Sequence, residues 1–140
     1  MEQASTPCYF PSFKQAGTQG FRPPEGEGGV TGPDARHSYG FDVYSMGMVL
    51  YVLMVGKLPA EDANLRNGIT MSMDARKRFW GTLDQAPTGA AACTDAMARL
   101  VQVCCTKSPG ERLKNENASE KTVMARFVFE LDNALAMLHK

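Results

Sequence analysis

The densest apolar stretch lies near the middle of the chain, in Asp42–Val55, DVYSMGMVLYVLMV. From Val43 to Val55 only Ser45 and Gly47 interrupt it. No polar face survives at helical spacing, so a helix here is expected to be apolar all round and buried on every side. A buried strand is the alternative, but strands usually stop at about 4–8 residues, and a bilayer span needs roughly 20. The pattern therefore predicts a central core helix. Asp42 is placed to cap its start, and Gly56 with nearby Pro59 to end it.

On either side the pattern weakens. Residues 1–40 interleave five prolines and several glycines with Tyr9, Phe10, Phe13 and Phe21. Long regular elements are not expected there. An ordered loop and a disordered tail fit residues 1–14 equally well, and order is favoured from Gly17. Ser72 is read as the cap of a short helix through Met73, Arg76, Phe79 and Trp80, with Trp80 a buried anchor. Ala86–Cys93 reads as a small-residue loop. Met97, Leu100, Val101 and Cys104 fall at i, i+3, i+4 and i+7, predicting a helix over Thr94–Lys107 with Thr94 as its cap, Asp95 in its first turn and Lys107 in its last. A last helix is expected from about Ser119 to Leu138. Its buried stripe is Val123, Phe127, Leu131, Leu135 and Leu138. No strand pattern is persuasive, so the fold class is mainly α.

Composition adds little to this. With 140 residues, one domain is expected. Fifteen Lys and Arg balance fifteen Asp and Glu. Nothing in that balance points to nucleic acid or a membrane as partner. Cys8, Cys93, Cys104 and Cys105 form no C-x-x-C pair, and His37 and His139 supply no converging spacing, so no metal site is expected. Adjacent Cys104 and Cys105 point to different faces of a helix. Reduced cysteines packed as small hydrophobes fit best. The N-terminus lacks the basic start and apolar run of a secretory signal, and the cytoplasm is the default compartment.

Three stretches carry a family likeness. Gly17-Thr18-Gln19-Gly20-Phe21-Arg22-Pro23-Pro24-Glu25 resembles the end of a protein kinase activation segment. Asp42-Val43-Tyr44-Ser45-Met46-Gly47, with its apolar run and Gly56-Lys57-Leu58-Pro59, resembles the buried central helix of the kinase C-terminal lobe. Leu100 to Arg112, ending Ser108-Pro109-Gly110-Glu111-Arg112, resembles the penultimate helix and the turn behind it. Each is weak alone; their order and spacing make the match. It covers roughly residues 13–138, and Gly17-Thr18 leans toward the serine/threonine type.

The resemblance implies a partial kinase domain over 17–140, with 1–16 the remnant of an activation segment. It implies a buried ion pair between Glu25 and Arg112 and an anchor for the catalytic loop at Asp42. It places Thr18, Gly20 and Phe21 at the floor of the substrate-peptide site, and Ser5, Thr6 and Ser12 where activation-loop phosphorylation occurs. Pro23, Tyr44 and Ser108 depart from the usual Ala, Trp and Asp. The Gly-rich phosphate loop, Val-Ala-x-Lys, His-Arg-Asp and Asp-Phe-Gly motifs are absent from these residues. ATP and Mg²⁺ are thus expected only for a complete parent domain, no catalytic residue is assigned here, and the chain alone is expected to be inactive. The expected partners are a protein or peptide substrate, and either the missing N-terminal part of the domain or another protein covering the exposed side of the hub helix. A kinase-derived, pseudokinase-like interaction scaffold is the alternative.

Overall fold

The computed structural model describes residues 20–21, 39–107, 112 and 120–139. They form five helices: α1 (Tyr39–Val55), α2 (Asp62–Arg66), α3 (Gly68–Trp80), α4 (Ala90–Cys104) and α5 (Glu120–Ala136). Short 3-10 turns follow α3, at Leu83–Gln85, and α5, at Met137–His139. No strand occurs among the described residues. The fold is mainly α, as the apolar spacing predicts.

Helix α1 is the hub. Val43, Met48, Leu50, Tyr51 and Met54 are buried in one core with Met71, Met97, Val101 and Val123 from the other helices. Two expectations about α1 need correcting. It begins at Tyr39, so Asp42 sits inside its first turn and not at its cap. It is also not buried on every side, since Val49 is 50% and Leu53 57% exposed. With exposed Asp42 and half-buried Met46 they form a stripe at i, i+4, i+7 and i+11. The end is as expected: Gly56 has φ +94, and its N–H donates to the Val52 carbonyl at 2.8 Å.

The other boundaries move for identifiable reasons. The cap of α3 is Asn67, whose side chain accepts from the Thr70 N–H at 3.1 Å. Gly68 looks like a breaker in the sequence but opens the helix. Ser72 is therefore internal and buried, donating to the Thr94 hydroxyl at 2.6 Å. Thr94 in turn donates to the Ala90 carbonyl at 3.0 Å. It joins α4 to α3 rather than capping α4, which starts at Ala90 after a left-handed Gly89. The small-residue loop over Ala86–Cys93 thus ends early, Asp95 lies beyond the first turn, and Lys107 lies past the helix end.

Trp80 is half-buried at the end of α3, edge-on to Phe79 at 5.6 Å, and is no deep anchor. On α5 the i+4 spacing drifts about 40° per step, because 3.6 residues make a turn. Leu135 has consequently rotated into solvent. Ala134, eleven residues after Val123, takes its place in the core. Val123 and Phe127 are buried as expected, and Leu131 and Leu138 pack partly against the core.

Candidate functional site

Two parts of the site are within the described residues. The first is Gly20–Phe21 against the start of α1. Gly20 has φ +94, and a Cβ there would lie 2.7 Å from Leu58 Cδ1, so this turn and this contact both favour glycine. Phe21 is half-buried and packs on the core. Its carbonyl accepts a hydrogen bond from the Ser45 hydroxyl at 2.8 Å. The first and second motif stretches are thereby tied together by one bond. Thr18 and Glu25 lie outside the described residues, as do Ser5, Thr6, Ser12, Pro23 and Ser108.

The second part joins the second stretch to the third. Arg112 is only 2% exposed. Its Nε donates to the Thr106 carbonyl at 2.7 Å and its terminal nitrogen to that of Lys107 at 3.2 Å. The guanidinium lies over the Tyr44 ring, 4.8 Å from its centroid, in cation–π geometry. A planar, delocalised cation suits this, since it satisfies carbonyls in its plane while stacking on a ring face. Burial, then the neighbouring Cys105, pushes the Tyr44 phenol from 10.0 up to about 12, while Arg112 pulls the other way. The predicted Glu25–Arg112 pair involves a residue outside the description. Asp42 stands exposed in the first turn of α1.

Gly47 and the two cysteines fix how closely these parts approach. A Cβ on Gly47 would lie 2.6 Å from Cys104 Cβ and 2.7 Å from Cys105 Sγ. The Cys105 thiol donates to the Tyr44 carbonyl at 3.6 Å. Helix α4 ends at Cys104, so the two cysteines do not point to different faces of one helix, and both are buried against α1 at Gly47. Burial raises the thiols of Cys93, Cys104 and Cys105, and that of Cys105 from 9.0 to about 12. All three are free cysteines packed as hydrophobes. Among the described residues no group of three His, Cys, Asp or Glu could hold a metal ion. None of their helices is long and apolar enough to cross a membrane.

The family model described as "Protein kinase domain" matches residues 4–124. The chain belongs to the protein kinase family. Its helices suit the helical lower lobe of a kinase domain, with α1 as the central helix and α4 as the one behind it. No solved structure matches the chain. Sequence reasoning gave no role to Ser45, Tyr44 or Gly47, although each lies within a quoted motif. For Gly47 a signal was present, because a lone glycine inside an apolar helix marks close approach of another backbone or side chain.

Proposed function

We propose that the chain supplies the substrate-peptide floor and structural hub of a serine/threonine-type kinase domain, whose parent activity is ATP-dependent phosphorylation of protein Ser or Thr. The observation that carries this reading is the Ser45–Phe21 bond, which fastens the end of the activation segment to the central helix. Thr18, Gly20 and Phe21 then form the floor, Glu25 pairs with Arg112, and Asp42 anchors a catalytic loop. Removing one partner of a buried ion pair is costly, on the order of 3–5 kcal/mol, which suits a joint that must not open. The 140 residues contain no Gly-x-Gly-x-x-Gly, His-Arg-Asp or Asp-Phe-Gly. No residue here is therefore assigned to ATP or Mg²⁺, and the chain alone transfers no phosphoryl group. Three buried, reduced thiols fit a cytoplasmic setting. The test is a radiolabelled-ATP assay on Ser, Thr and Tyr peptides with the purified chain. Transfer above that of a mock purification refutes the inactive reading.

One observation favours a second reading, a kinase-derived interaction scaffold. The Met46, Val49 and Leu53 stripe leaves apolar surface on the hub helix open to solvent. In the scaffold reading a protein partner, or the rest of a kinase domain, covers that stripe. Val49→Glu, which leaves the core untouched, abolishes capture of such a partner and preserves the folded state. If Val49→Glu and the parent chain are captured equally, the stripe is not the contact.

A further inference from the structure

Helix α3 packs Met71, Ser72 and Ala75 into the protein. Its other side carries Ile69, 76% exposed, and Met73, 36% exposed, with half-buried Trp80 at the end. Successive helix positions stand about 100° apart, so these three fall within about 40° of one another. Arg76 lies in the same row and Lys77 at its edge. The Nε of Arg76 is shut off from water and has no hydrogen-bond partner. Neither Arg76 nor exposed Lys77 joins an ion pair among the described residues. Arg78 turns the other way and donates to the Leu53 carbonyl at 3.0 Å. Asp74, the only acidic residue of the helix, opens onto the cavity toward α1. Beside Ile69, Arg66 is offset by Asp62 at 3.5 Å, and Arg99 and Asp95 border the same groove and cancel. The row thus carries the unopposed charges of Arg76 and Lys77, which the chain's balance of fifteen against fifteen hides.

We infer that this face of α3 rests on an anionic lipid surface. Ile69 and Met73 enter the boundary between headgroups and acyl chains, and the indole of Trp80 suits that same boundary. Arg76 and Lys77 reach the lipid phosphates and carboxylates while their alkyl stems lie along the apolar row. With 13 residues α3 is well short of the roughly 20 that a bilayer span needs, so it lies in the plane of the surface. A soluble polyanion would meet the two cations but leave Ile69 and Met73 facing water. The apolar row and the unneutralised Arg76 are separate observations, and an anionic lipid layer answers both. The inference stands on these residues and not on the kinase reading.

Trp80 is the only tryptophan of the chain, so its emission reports on this face directly. The test mixes the full chain with phosphatidylcholine vesicles, with and without about 30% phosphatidylserine. The chain sediments with the anionic vesicles and not with the neutral ones. Trp80 emission moves to shorter wavelength on the anionic vesicles and is quenched by lipids brominated on the acyl chain. Ile69→Ser weakens binding by about tenfold and Lys77→Gln by about fivefold, both without moving the thermal unfolding midpoint. Val128→Ser, which removes an equally apolar and exposed side chain from α5, leaves binding unchanged. Phosphoserine, polyglutamate and oligouridylate serve as soluble arms. An emission shift with any of them that equals the shift on vesicles assigns the face to a soluble anion and overturns the proposal. Equal sedimentation with neutral vesicles, an unmoved Trp80 emission, or Ile69→Ser and Lys77→Gln chains that bind as the parent does overturn it as well.

Discussion

Gly47→Ala puts a methyl group where α1 and α4 meet. In a helix interior that exchange is ordinarily stabilising by about 1 kcal/mol, because alanine surrenders less backbone freedom. Here the new Cβ would stand 2.6 Å from Cys104 Cβ and 2.7 Å from Cys105 Sγ. Comfortable carbon contacts lie at about 3.5–4.0 Å, so each neighbour must retreat by roughly 1 Å. Cys104 Cβ is attached to the backbone and cannot rotate away. The Cys105 thiol can rotate, but only by giving up its contact with the Tyr44 carbonyl. Overpacking of this kind costs about 1–3 kcal/mol, and the fixed obstruction puts it near the upper end. The net effect is a destabilisation of about 2 kcal/mol, or a Tm lowered by roughly 5–10 °C. Urea titration followed by far-UV circular dichroism measures it directly. Cys105→Ala removes one of the two obstructing atoms, so the double variant recovers about 1 kcal/mol of coupling. A Gly47→Ala chain that is more stable than the parent refutes the close approach, since only the helix-propensity gain would then remain.

Other outcomes follow from the same contacts. Gly89→Ala meets both a left-handed φ of +89 and the Met137 carbonyl, and should lower stability by about 2 kcal/mol in the same titration. Thr94→Val keeps the shape but strands the buried Ser72 hydroxyl, at about 1–3 kcal/mol, and adding Ser72→Ala should return part of that loss in calorimetry. Stability should also fall in alkali. The folded pKa of Tyr44 and of Cys105 is raised to about 12, above unfolded values of 10.0 and 9.0. The folded state then holds more protons than the unfolded one, so their contribution is full below pH 9 and disappears as pH rises toward 12. Cys105→Ala should flatten that slope in unfolding midpoints measured across the range. Arg112→Met should cost about 3 kcal/mol or more, since the Thr106 and Lys107 carbonyls lose their donors and Tyr44 its cation.

What could be read in advance depended on how local each cause was. The buried stripe of α4 is a periodicity, and Met97, Leu100, Val101 and Cys104 are all in the core. The terminator Gly56 is a conformational requirement of one residue, and it stands where expected. Caps were harder, because Ser72 and Thr94 have the side chains that caps favour, yet the cap of α3 is Asn67 and neither hydroxyl caps a helix. What decided among them was tertiary: Ser72 and Thr94 bond each other across two helices separated by 22 positions. Leu135 was misplaced by counting in fours along a helix that turns every 3.6 residues. The exposed Val49 and Leu53 could not follow from hydropathy, which records what a residue prefers and not what stands opposite it. In the candidate site, the motifs brought Gly20, Phe21, Tyr44 and Arg112 into view. The bonds that unite them run through the Phe21 and Thr106 carbonyls, and main-chain oxygens have no signature in a sequence.

That last point bears on how the surface at Phe21 can change. Ser45 holds residue 21 by its carbonyl, which every amino acid carries. Attachment and shape are therefore separate variables. Substitutions at position 21 can alter what the turn presents outward while the fastening stays intact. A change at position 45 loosens the turn whatever side chain occupies 21. A lineage carrying this arrangement could explore new surfaces at one position while keeping the other fixed.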